Sequence, residues 1–421
     1  MPIRLRDIGT SLQPSVSASS IDEKKRIHIP NLRDRFATLA FISWWERDKV
    51  ANAKVMVVGA GALGNEVLKN LALMGVGHII VVDMDIIEMA NLSRSILYRE
   101  HDEGRLKAEV AAERVREISP SASVHAIPAS IITGVGLGLI RQMDVVIGCL
   151  DNRLARWYIN HYCYLLNIPW IDAGIAPLEG QMSIYDPRHK DRPCYNCTLS
   201  PQARSMMRKR LSCQLIARRN ATLGKSPTTS ITASIFGAMQ VQEALKLIHG
   251  MPTQAGIEYR YSGFDNTLEG SDRRRQPHCN EHESFDPAEI VTIDAATHEV
   301  TIREVKEALS DYFQSALAIR LDHDLVIGAR CGNCGFERRL YKLLPDIKPS
   351  DHLCPNCGSD EKFIVDELND ITVHITDQHD FLDRTFSEIG VPPYAILRVT
   401  LPNGIIAPFE FVGDHKRYFA S

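Results

Sequence analysis

The sequence lacks the features of a membrane, secreted or nucleic-acid-binding protein. Its apolar runs are too short to span a bilayer, and the first thirty residues hold no continuous apolar core of a secretory signal. The formal net charge of the 421 residues is only −4, so no excess of positive charge favours nucleic acid or an anionic membrane as the main partner. These absences predict a cytoplasmic protein.

A chain of this length can hold one large α/β core and a second, smaller domain. Residues 1–30 mix Ser, Pro and charged residues without a period, which predicts a flexible leader. Residues 31–52 have apolar positions on one face of a helix, so we expect a helix before the first strand.

A glycine-rich turn follows the apolar run at residues 55–58 and opens a predicted helix. The glycines are spaced G-x-G-x-x-G, as Gly59, Gly61 and Gly64, a pattern that lets backbone N–H groups at a helix N-terminus face an anion. Asp83 ends the second apolar run about 20 residues on, where a carboxylate can accept hydrogen bonds from ribose hydroxyls. The pattern predicts a nucleotide site, although tight packing without a ligand also uses such turns.

Charged residues further along favour ATP over a nicotinamide cofactor. Arg94 and Lys107 are cations that suit a triphosphate, and Asp151 follows a third buried strand, where it could hold magnesium. Taken singly, each is equally explained by a surface ion pair.

Together these residues form an ordered set. Its members are Gly59-x-Gly61-x-x-Gly64, Asp83-x-Asp85, Asn91-x-x-Arg94, Lys107-Ala108, Asp151-Asn152-x-x-x-Arg156 and Cys194-x-x-Cys197. The set resembles the ubiquitin-activating and sulfur-carrier adenylyltransferase family of the MoeB/ThiF type. The resemblance implies that Asp83 holds the ribose, Arg94 and Lys107 the phosphates, and Asp151 the magnesium. Asp85, Asn91 and Asn152 would also line the ATP site.

The resemblance, which covers about residues 31–283, and the pattern of the tail beyond it together predict an α/β fold in two parts. Residues 31–285 would form a Rossmann-like adenylation domain with a parallel-rich sheet, in which the segment 200–230 crosses above the ATP site. Residues 286–421 would form a small C-terminal α+β domain with a zinc ribbon inserted at 331–357. For this tail the pattern predicts strands and helices. The strands are expected at 291–293, 299–302, 317–329, 363–365, 371–375, 395–400 and 405–412, and the helices at 302–313 and 380–389.

Two groups of cysteines predict structural zinc sites. Cys194 and Cys197 have the two-residue spacing that lets both sulfurs reach one metal, and Cys279 with His282 is the best candidate partner pair. A redox pair at the first two cysteines and a spare thiol at Cys279 are the alternatives. The second group is a quartet with a glycine after each pair, as in zinc ribbons. Its members are Cys331, Cys334, Cys354 and Cys357.

Cys213 differs from the remaining cysteines because it lies in a stretch rich in Arg and Lys, where positive charge favours a thiolate. In the family that this chain resembles, the corresponding segment can carry the cysteine that forms a thioester. A spare thiol on a basic loop is the alternative. Cys149 and Cys163 lie among apolar residues and are expected to be inert.

The predicted reaction is adenylation of a ubiquitin-like protein's C-terminal carboxylate, then a thioester on Cys213 and transfer to a conjugating enzyme. Because an ionised carboxylate needs no general base, the lack of a Ser-His-Asp arrangement fits this reaction. A sulfur-carrier adenylyltransferase without thioester transfer is one alternative, and a non-catalytic scaffold that binds a partner is another. The C-terminal domain resembles those that recruit conjugating enzymes, although a purely structural domain is equally compatible with it. The chain's last residues have no Gly-Gly tail, so we do not expect it to carry its own substrate.

We also expect a homodimer, because the family supplies an arginine across the dimer to the partner's ATP. The corresponding position here is Thr38. Either Arg35 or Arg47 replaces that arginine, or the chain lacks one.

Overall fold

A computed structural model of the chain describes residues 34–204, 227–358, 363–364, 371–416 and 418. The chain divides into two compact units, Met1–Trp45 and Glu46–Ser421. The leader predicted over residues 1–30 lies outside the described residues. In the first unit Ala37–Phe41 forms a short 3-10 helix.

The continuous helix predicted over residues 31–52 is wrong. The residue that ends the 3-10 helix, Ile42, is extended (φ −82°, ψ 115°), and so is Glu46 (φ −116°, ψ 99°). An α-helix begins only at Arg47. The residues between include Ile42, Trp44 and Trp45, and bulky aromatic and β-branched side chains lose rotamer freedom in a helix.

The helices and strands of the second unit follow in chain order. The helices are α1 (Arg47–Asn52), α2 (Ala62–Met74), α3 (Lys107–Ile118), α4 (Leu137–Arg141), α5 (Arg153–Leu165), α6 (Tyr195–Thr198), α7 (Ser230–His249) and α8 (Ile302–Phe313). The strands of the first sheet are β1 (Lys54–Val58), β2 (His78–Val82), β3 (Ser123–Ile127), β4 (Val145–Gly148), β5 (Trp170–Ile175), β6 (Glu179–Tyr185), β7 (Ile257–Ser262) and β8 (Thr267–Asp272). Those of the second sheet are β9 (Val291–Ile293), β10 (Ala318–Cys331), β11 (Glu337–Leu343), β12 (Phe363–Ile364), β13 (Ile371–Ile375), β14 (Ile396–Thr400) and β15 (Ile406–Phe411).

The first sheet has the strand order β3-β2-β1-β4-β5-β6-β7-β8. The first five strands in this order are parallel to one another, and β6, β7 and β8 continue the sheet in antiparallel fashion. All four residues of β4 are buried, as expected where helices cover both faces of a parallel sheet. The predicted α/β, Rossmann-like architecture is confirmed. None of the helices in the described part of the chain combines the length and apolar character needed to cross a bilayer.

The second sheet has the order β11-β10-β14-β15-β9, and β12 and β13 also pair with β10. Helix α8 spans the residues predicted for it, and it begins at a capping box in which Thr301 and Glu304 hydrogen-bond each other's backbone N–H. Its buried residues Ile302, Val305 and Leu309 join the apolar core of this sheet.

Two elements predicted for this region are wrong. The segment 380–389 is a turn that ends in a short 3-10 helix, Ser387–Ile389, because the buried Phe381 and Phe386 enter the core from irregular backbone. The strand predicted at 299–302 is reduced to a single bridge between Thr301 and Thr385, since Ile302 already belongs to α8.

Residues at β14 and β15 of the second sheet pack against α4, the helix that follows β3 of the first sheet. A Cβ at Gly136 would lie 2.1 Å from the Pro393 carbonyl oxygen, so only glycine fits there. The Gly138 N–H donates to the Tyr394 carbonyl at 2.8 Å, and Arg141 pairs with the fully buried Glu410. A domain boundary at 285/286 stays a prediction, because residues 46–421 form one compact unit.

Candidate functional site

The order of the parallel strands creates one crevice in the first sheet. From β1 the chain passes to β2 on one side and returns to β4 on the other. Loops leaving β1 and β4 therefore diverge, and open α/β sheets bind ligands at such a switch point. The glycine turn follows β1, and Asp151 follows β4.

The three glycines have different structural roles. Gly59 has a φ of +99°, and a Cβ there would lie 2.4 Å from the Cys149 carbonyl oxygen. A Cβ at Gly64 would lie 1.9 Å from the Gly59 carbonyl oxygen, so this residue permits the tight turn into α2. At Gly61, by contrast, no atom of the described residues lies within 4 Å of the Cβ position. Packing explains Gly59 and Gly64, whereas Gly61 borders open space.

The carboxylate of Asp83 is tied to the glycine turn. Its Oδ2 accepts a hydrogen bond from the Ala60 N–H at 2.7 Å, and its Oδ1 accepts one from the Asp85 N–H at 2.8 Å. Burial raises the pKa of Asp83, while the charge of Lys107 and the two backbone donors oppose that rise. Asp83 is thus held rigidly at the end of β2.

The predicted phosphate ligands lie on segments that follow β2. Lys107 opens α3, and its Nζ lies 2.9 Å from Asp85 Oδ2. The Arg94 Nη1 donates to the Ala90 carbonyl at 2.6 Å. The Asn91 side chain is buried, and its Oδ1 accepts from the Glu88 N–H at 3.0 Å, so it shapes the turn that carries Arg94.

The residues after β4 have distinct local roles. Asp151 is exposed. The Asn152 Oδ1 accepts from the Ala155 N–H at 2.7 Å and so caps α5. Arg156 donates to the Asp172 carboxylate at 2.9 Å and to the Leu150 carbonyl at 2.6 Å. Burial raises the pKa of Asp172, and the Arg156 charge opposes that effect.

Two buried residues of this site were missed by sequence reasoning. The Asn65 Nδ2 donates to the Ala60 carbonyl at 2.8 Å, and the Tyr98 hydroxyl donates to the same oxygen at 2.6 Å. Neither belongs to a motif, and Asn65 looks like any polar residue in a helical period. Only the tertiary contact reveals them.

The first predicted zinc set comes together in space. Its members are Cys194, Cys197, Cys279 and His282, and their ligand atoms all lie within 4.8 Å of one another. The Cys194 sulfur lies 3.6 Å from those of Cys197 and Cys279, and the Cys197 sulfur lies 3.3 Å from His282 Nε2. Tetrahedral zinc ligands at about 2.0–2.3 Å are about 3.3–3.8 Å apart, so the set fits zinc.

The second quartet also comes together. The Cys331 and Cys357 sulfurs are 3.7 Å apart, and those of Cys334 and Cys354 are 3.6 Å apart. In each pair the N–H four residues after the first cysteine donates to that cysteine's carbonyl at 2.9 Å. The glycines that donate, Gly335 and Gly358, have φ of +73° and +68°. Both knuckles therefore share one geometry, which fits a zinc ribbon.

The proposed thioester residue, Cys213, lies outside the described residues, as do residues 205–226 of the predicted crossover segment. Burial raises the pKa of both Cys149 and Cys163. A raised pKa disfavours the thiolate, in agreement with the expectation that these two thiols are inert.

Comparisons with known proteins extend this description. The model of the ThiF family matches residues 34–283. "Adenylyltransferase and sulfurtransferase MOCS3" of Mus musculus is 32% identical over 241 residues, which is 55% of this chain and 48% of the mouse protein. The chain thus spans about half the length of that relative.

Two microbial relatives are covered more fully. The "SAMP-activating enzyme E1" of Haloferax volcanii is 31% identical over 236 residues, 55% of this chain and 80% of that protein. The "Sulfur carrier protein adenylyltransferase" of Thermus thermophilus is 30% identical over 238 residues, 55% of this chain and 83% of that protein. The family match ends at residue 283, so the second sheet lies beyond it.

Proposed function

The chain belongs to the ThiF family, and we propose on that premise that it uses ATP to adenylate the C-terminal carboxylate of a ubiquitin-like protein. The observation that carries this proposal is that four elements follow the carboxyl ends of three adjacent parallel strands, β2, β1 and β4. These elements are the glycine turn, the carboxylate of Asp83, the ammonium of Lys107 and the exposed Asp151.

The hydrogen-bond donors and charged groups of the site suit a nucleoside triphosphate. Gly61 borders open space at a helix N-terminus, where backbone N–H groups and the helix dipole favour an anion. Lys107 and Arg94 would neutralise the phosphates, Asp83 would hold the ribose, and Asp151 would hold magnesium. Asp85, Asn91 and Asn152 would complete the site. Asn91 and Asn152 would do so by holding the backbone of their segments through hydrogen bonds to N–H groups.

In the proposed reaction a carboxylate oxygen of the partner attacks the α-phosphorus of ATP. A bond forms between that oxygen and the α-phosphorus. The bond between the α-phosphorus and the oxygen that bridges it to the β-phosphorus breaks, and pyrophosphate leaves. The attacking carboxylate is already ionised at neutral pH, so the site must align it and neutralise charge rather than remove a proton.

A second step would form a thioester on Cys213. Its thiolate would attack the acyl carbon, AMP would leave, and the acyl group would pass to the cysteine of a conjugating enzyme. The basic residues around Cys213 in the sequence support this role, because positive charge lowers a thiol pKa. The C-terminal domain would then be the docking surface for the conjugating enzyme.

The names of two relatives favour a second candidate. The Thermus protein is named for a sulfur carrier, and the mouse protein for adenylyl and sulfur transfer. In this alternative the chain makes the same adenylate, the sulfur of a sulfide-level donor attacks its acyl carbon, AMP leaves and a thiocarboxylate forms, so Cys213 carries no acyl group.

Further parts of the proposal concern metal, assembly and location. Zinc in both clusters would be structural, since four protein ligands leave no open position. A homodimer in which Arg35 or Arg47 reaches the partner's ATP, and a cytoplasmic location, remain predictions from the sequence.

Mass spectrometry after incubation with ATP, magnesium and a candidate β-grasp protein tests these alternatives, together with pyrophosphate exchange. A thiol-sensitive adduct that disappears in Cys213→Ala but persists in Cys163→Ala supports the activating enzyme. The second variant is the control because Cys163 is buried. Pyrophosphate exchange without an adduct would favour the sulfur-carrier enzyme, provided that a thiocarboxylate forms once a sulfur donor is added. No ATP binding at all would leave a scaffold.

A further inference from the structure

Two buried side chains converge on a single backbone oxygen of the glycine turn. The Asn65 Nδ2 lies 2.8 Å from the Ala60 carbonyl oxygen, and the Tyr98 hydroxyl lies 2.6 Å from it. Asn65 is fully buried and Tyr98 is 4% exposed. A carbonyl has two lone pairs, so these two donors saturate this oxygen.

Fixing that carbonyl also fixes the next N–H. In a trans peptide the carbonyl of Ala60 and the N–H of Gly61 point in opposite directions, and the chain has no cis peptide bond among its described residues. The carbonyl points inward to its two donors, so the Gly61 N–H points away from them. The N–H groups of Gly59 and Ala60 are already committed to the Val82 carbonyl and the Asp83 carboxylate.

The same side chains connect the turn to the two segments that carry the cations. The Asn65 Oδ1 accepts from the Leu97 N–H at 2.8 Å, in the segment that also holds Arg94. The Tyr98 hydroxyl lies 3.3 Å from the carbonyl oxygen of Lys107. Asn65 Nδ2 further donates to the Gly61 carbonyl at 2.9 Å. The hydrogen bonds of Asn65 thus join the turn to the segment of Arg94, and the Tyr98 hydroxyl, whose single proton goes to the Ala60 carbonyl, lies beside the start of α3.

We propose that Asn65 and Tyr98 are positioning residues that orient the Ala60–Gly61 peptide, so that the Gly61 N–H donates to a phosphate of ATP. This inference rests on the proposed adenylation function. Neither side chain would touch the nucleotide. They would contribute to the affinity for the triphosphate and not to the affinity for adenosine, because the peptide that they hold belongs to the glycine turn.

The test is a set of binding titrations with ATP and with adenosine on the full chain. The variants are Tyr98→Phe, Asn65→Ala and the double variant, and the control is Tyr312→Phe, which removes a hydroxyl from a ring that is 67% exposed. Each single variant should weaken ATP binding about three- to tenfold, the range of one net hydrogen bond. Adenosine affinity should change less than about twofold. The double variant should lose more than the product of the single effects, because the last donor to the carbonyl is gone.

Several outcomes would overturn the inference. Equal losses for ATP and adenosine would mean that the pair merely supports the fold, and unchanged ATP affinity in all variants would mean that the turn needs neither donor. If Asn65→Ala does not fold, Tyr98→Phe decides alone, since the ring that fills the site remains. A wild-type chain that binds no ATP would refute the proposed function itself, which separates that failure from failure of the positioning role.

Discussion

The ammonium of Lys107 lies 2.9 Å from the carboxylate of Asp85, with the lysine side chain 8% exposed and the aspartate side chain 53% exposed. The backbone joins them again, because the Lys107 N–H donates to the Asp85 carbonyl at 2.9 Å. A cation predicted for the phosphates is thus oriented by a neighbouring acid of the same site.

Replacing this lysine tests its role in phosphate binding. Lys107→Met keeps the buried aliphatic stem and removes the charge, and the exposed Asp85 is left solvated. We expect pyrophosphate exchange to fall about 100-fold or more, as for the loss of a charge that stabilises the transition state. The free energy of unfolding should fall by about 1–3 kcal/mol, because the buried Asp83 loses the charge that favours its ionised form. Lys49→Met, a half-exposed lysine paired with Glu46, is the control. A rate of pyrophosphate exchange in Lys107→Met within threefold of the wild-type rate would refute a role for Lys107 in phosphate binding.

Two alanine substitutions separate packing from ligand binding in the glycine turn. Gly64→Ala should lower the free energy of unfolding by about 1–3 kcal/mol, because its Cβ would meet the Gly59 carbonyl at 1.9 Å. Gly61→Ala should fold with nearly unchanged stability, since its φ is −75° and its Cβ would have room. We expect its ATP affinity to drop tenfold or more. Urea unfolding and calorimetry measure both quantities. Normal ATP binding by Gly61→Ala would mean that no phosphate approaches this residue.

Elemental analysis tests the two cysteine clusters. The wild-type chain should carry two zinc ions, one for each cluster. Cys334→Ser and Cys279→Ser should each leave one zinc, and the double variant should leave none. Cys163→Ala, outside both clusters, should keep both. Each lost zinc should also lower the melting temperature, because structural zinc contributes to folding free energy. A cysteine variant that retains two ions would remove its residue from the ligand set.

The stability of the protein should depend on pH through His323, which lies on β10 and is buried against α5. Its Nε2 lies 2.8 Å from the Ile132 carbonyl oxygen, and the hydroxyls of Tyr158 and Tyr162 lie 3.5 and 3.2 Å from its ring nitrogens. Burial lowers the pKa of His323 below 6.5, although the charge of Asp322, the hydrogen bond to Ile132 and other nearby acids oppose this.

The direction of this dependence follows from proton binding. Below pH 6.5 the unfolded chain takes up a proton that the folded chain resists, so stability falls as the pH drops towards the lowered pKa and is unaffected above 6.5. Between pH 7.5 and 5.5, His323→Gln should therefore lose less stability than the wild type, by about 1 kcal/mol. His298→Gln, at an exposed position, should behave like the wild type. Equal losses in all three proteins would contradict the prediction.

Local patterns in the sequence predicted a large part of the fold. The glycine turn after β1, helix α8 and strand β13 occur where periodicity and turn residues placed them, because each depends on residues close together in the chain. The helix predicted over 380–389 failed for the converse reason. Leu382, Phe386 and Ile389 have helix-like spacing, but their burial is decided by the core of the second sheet rather than by a local helix.

The candidate site divides in the same way. Its glycines, Asp83 and the close-spaced cysteine pairs could be found in the sequence, since their chemistry depends on short spacings. The side chains of Asn65 and Tyr98 could not, because their shared acceptor brings together residues 33 positions apart. The cap that the Asn152 side chain forms on α5 was likewise found only in the structure, and its predicted place in the ATP site stays a prediction.

By itself the sequence determined the glycine turn, helix α8 and the two-residue spacing within the cysteine pairs, because these are set by neighbours along the chain. The tertiary structure alone decided that Lys107 pairs with Asp85 and that two buried donors hydrogen-bond the Ala60 carbonyl. It also decided that the Pro393 carbonyl packs against Gly136. Such contacts depend on how segments far apart in the chain pack against each other, and no spacing in the sequence specifies the distance between those segments.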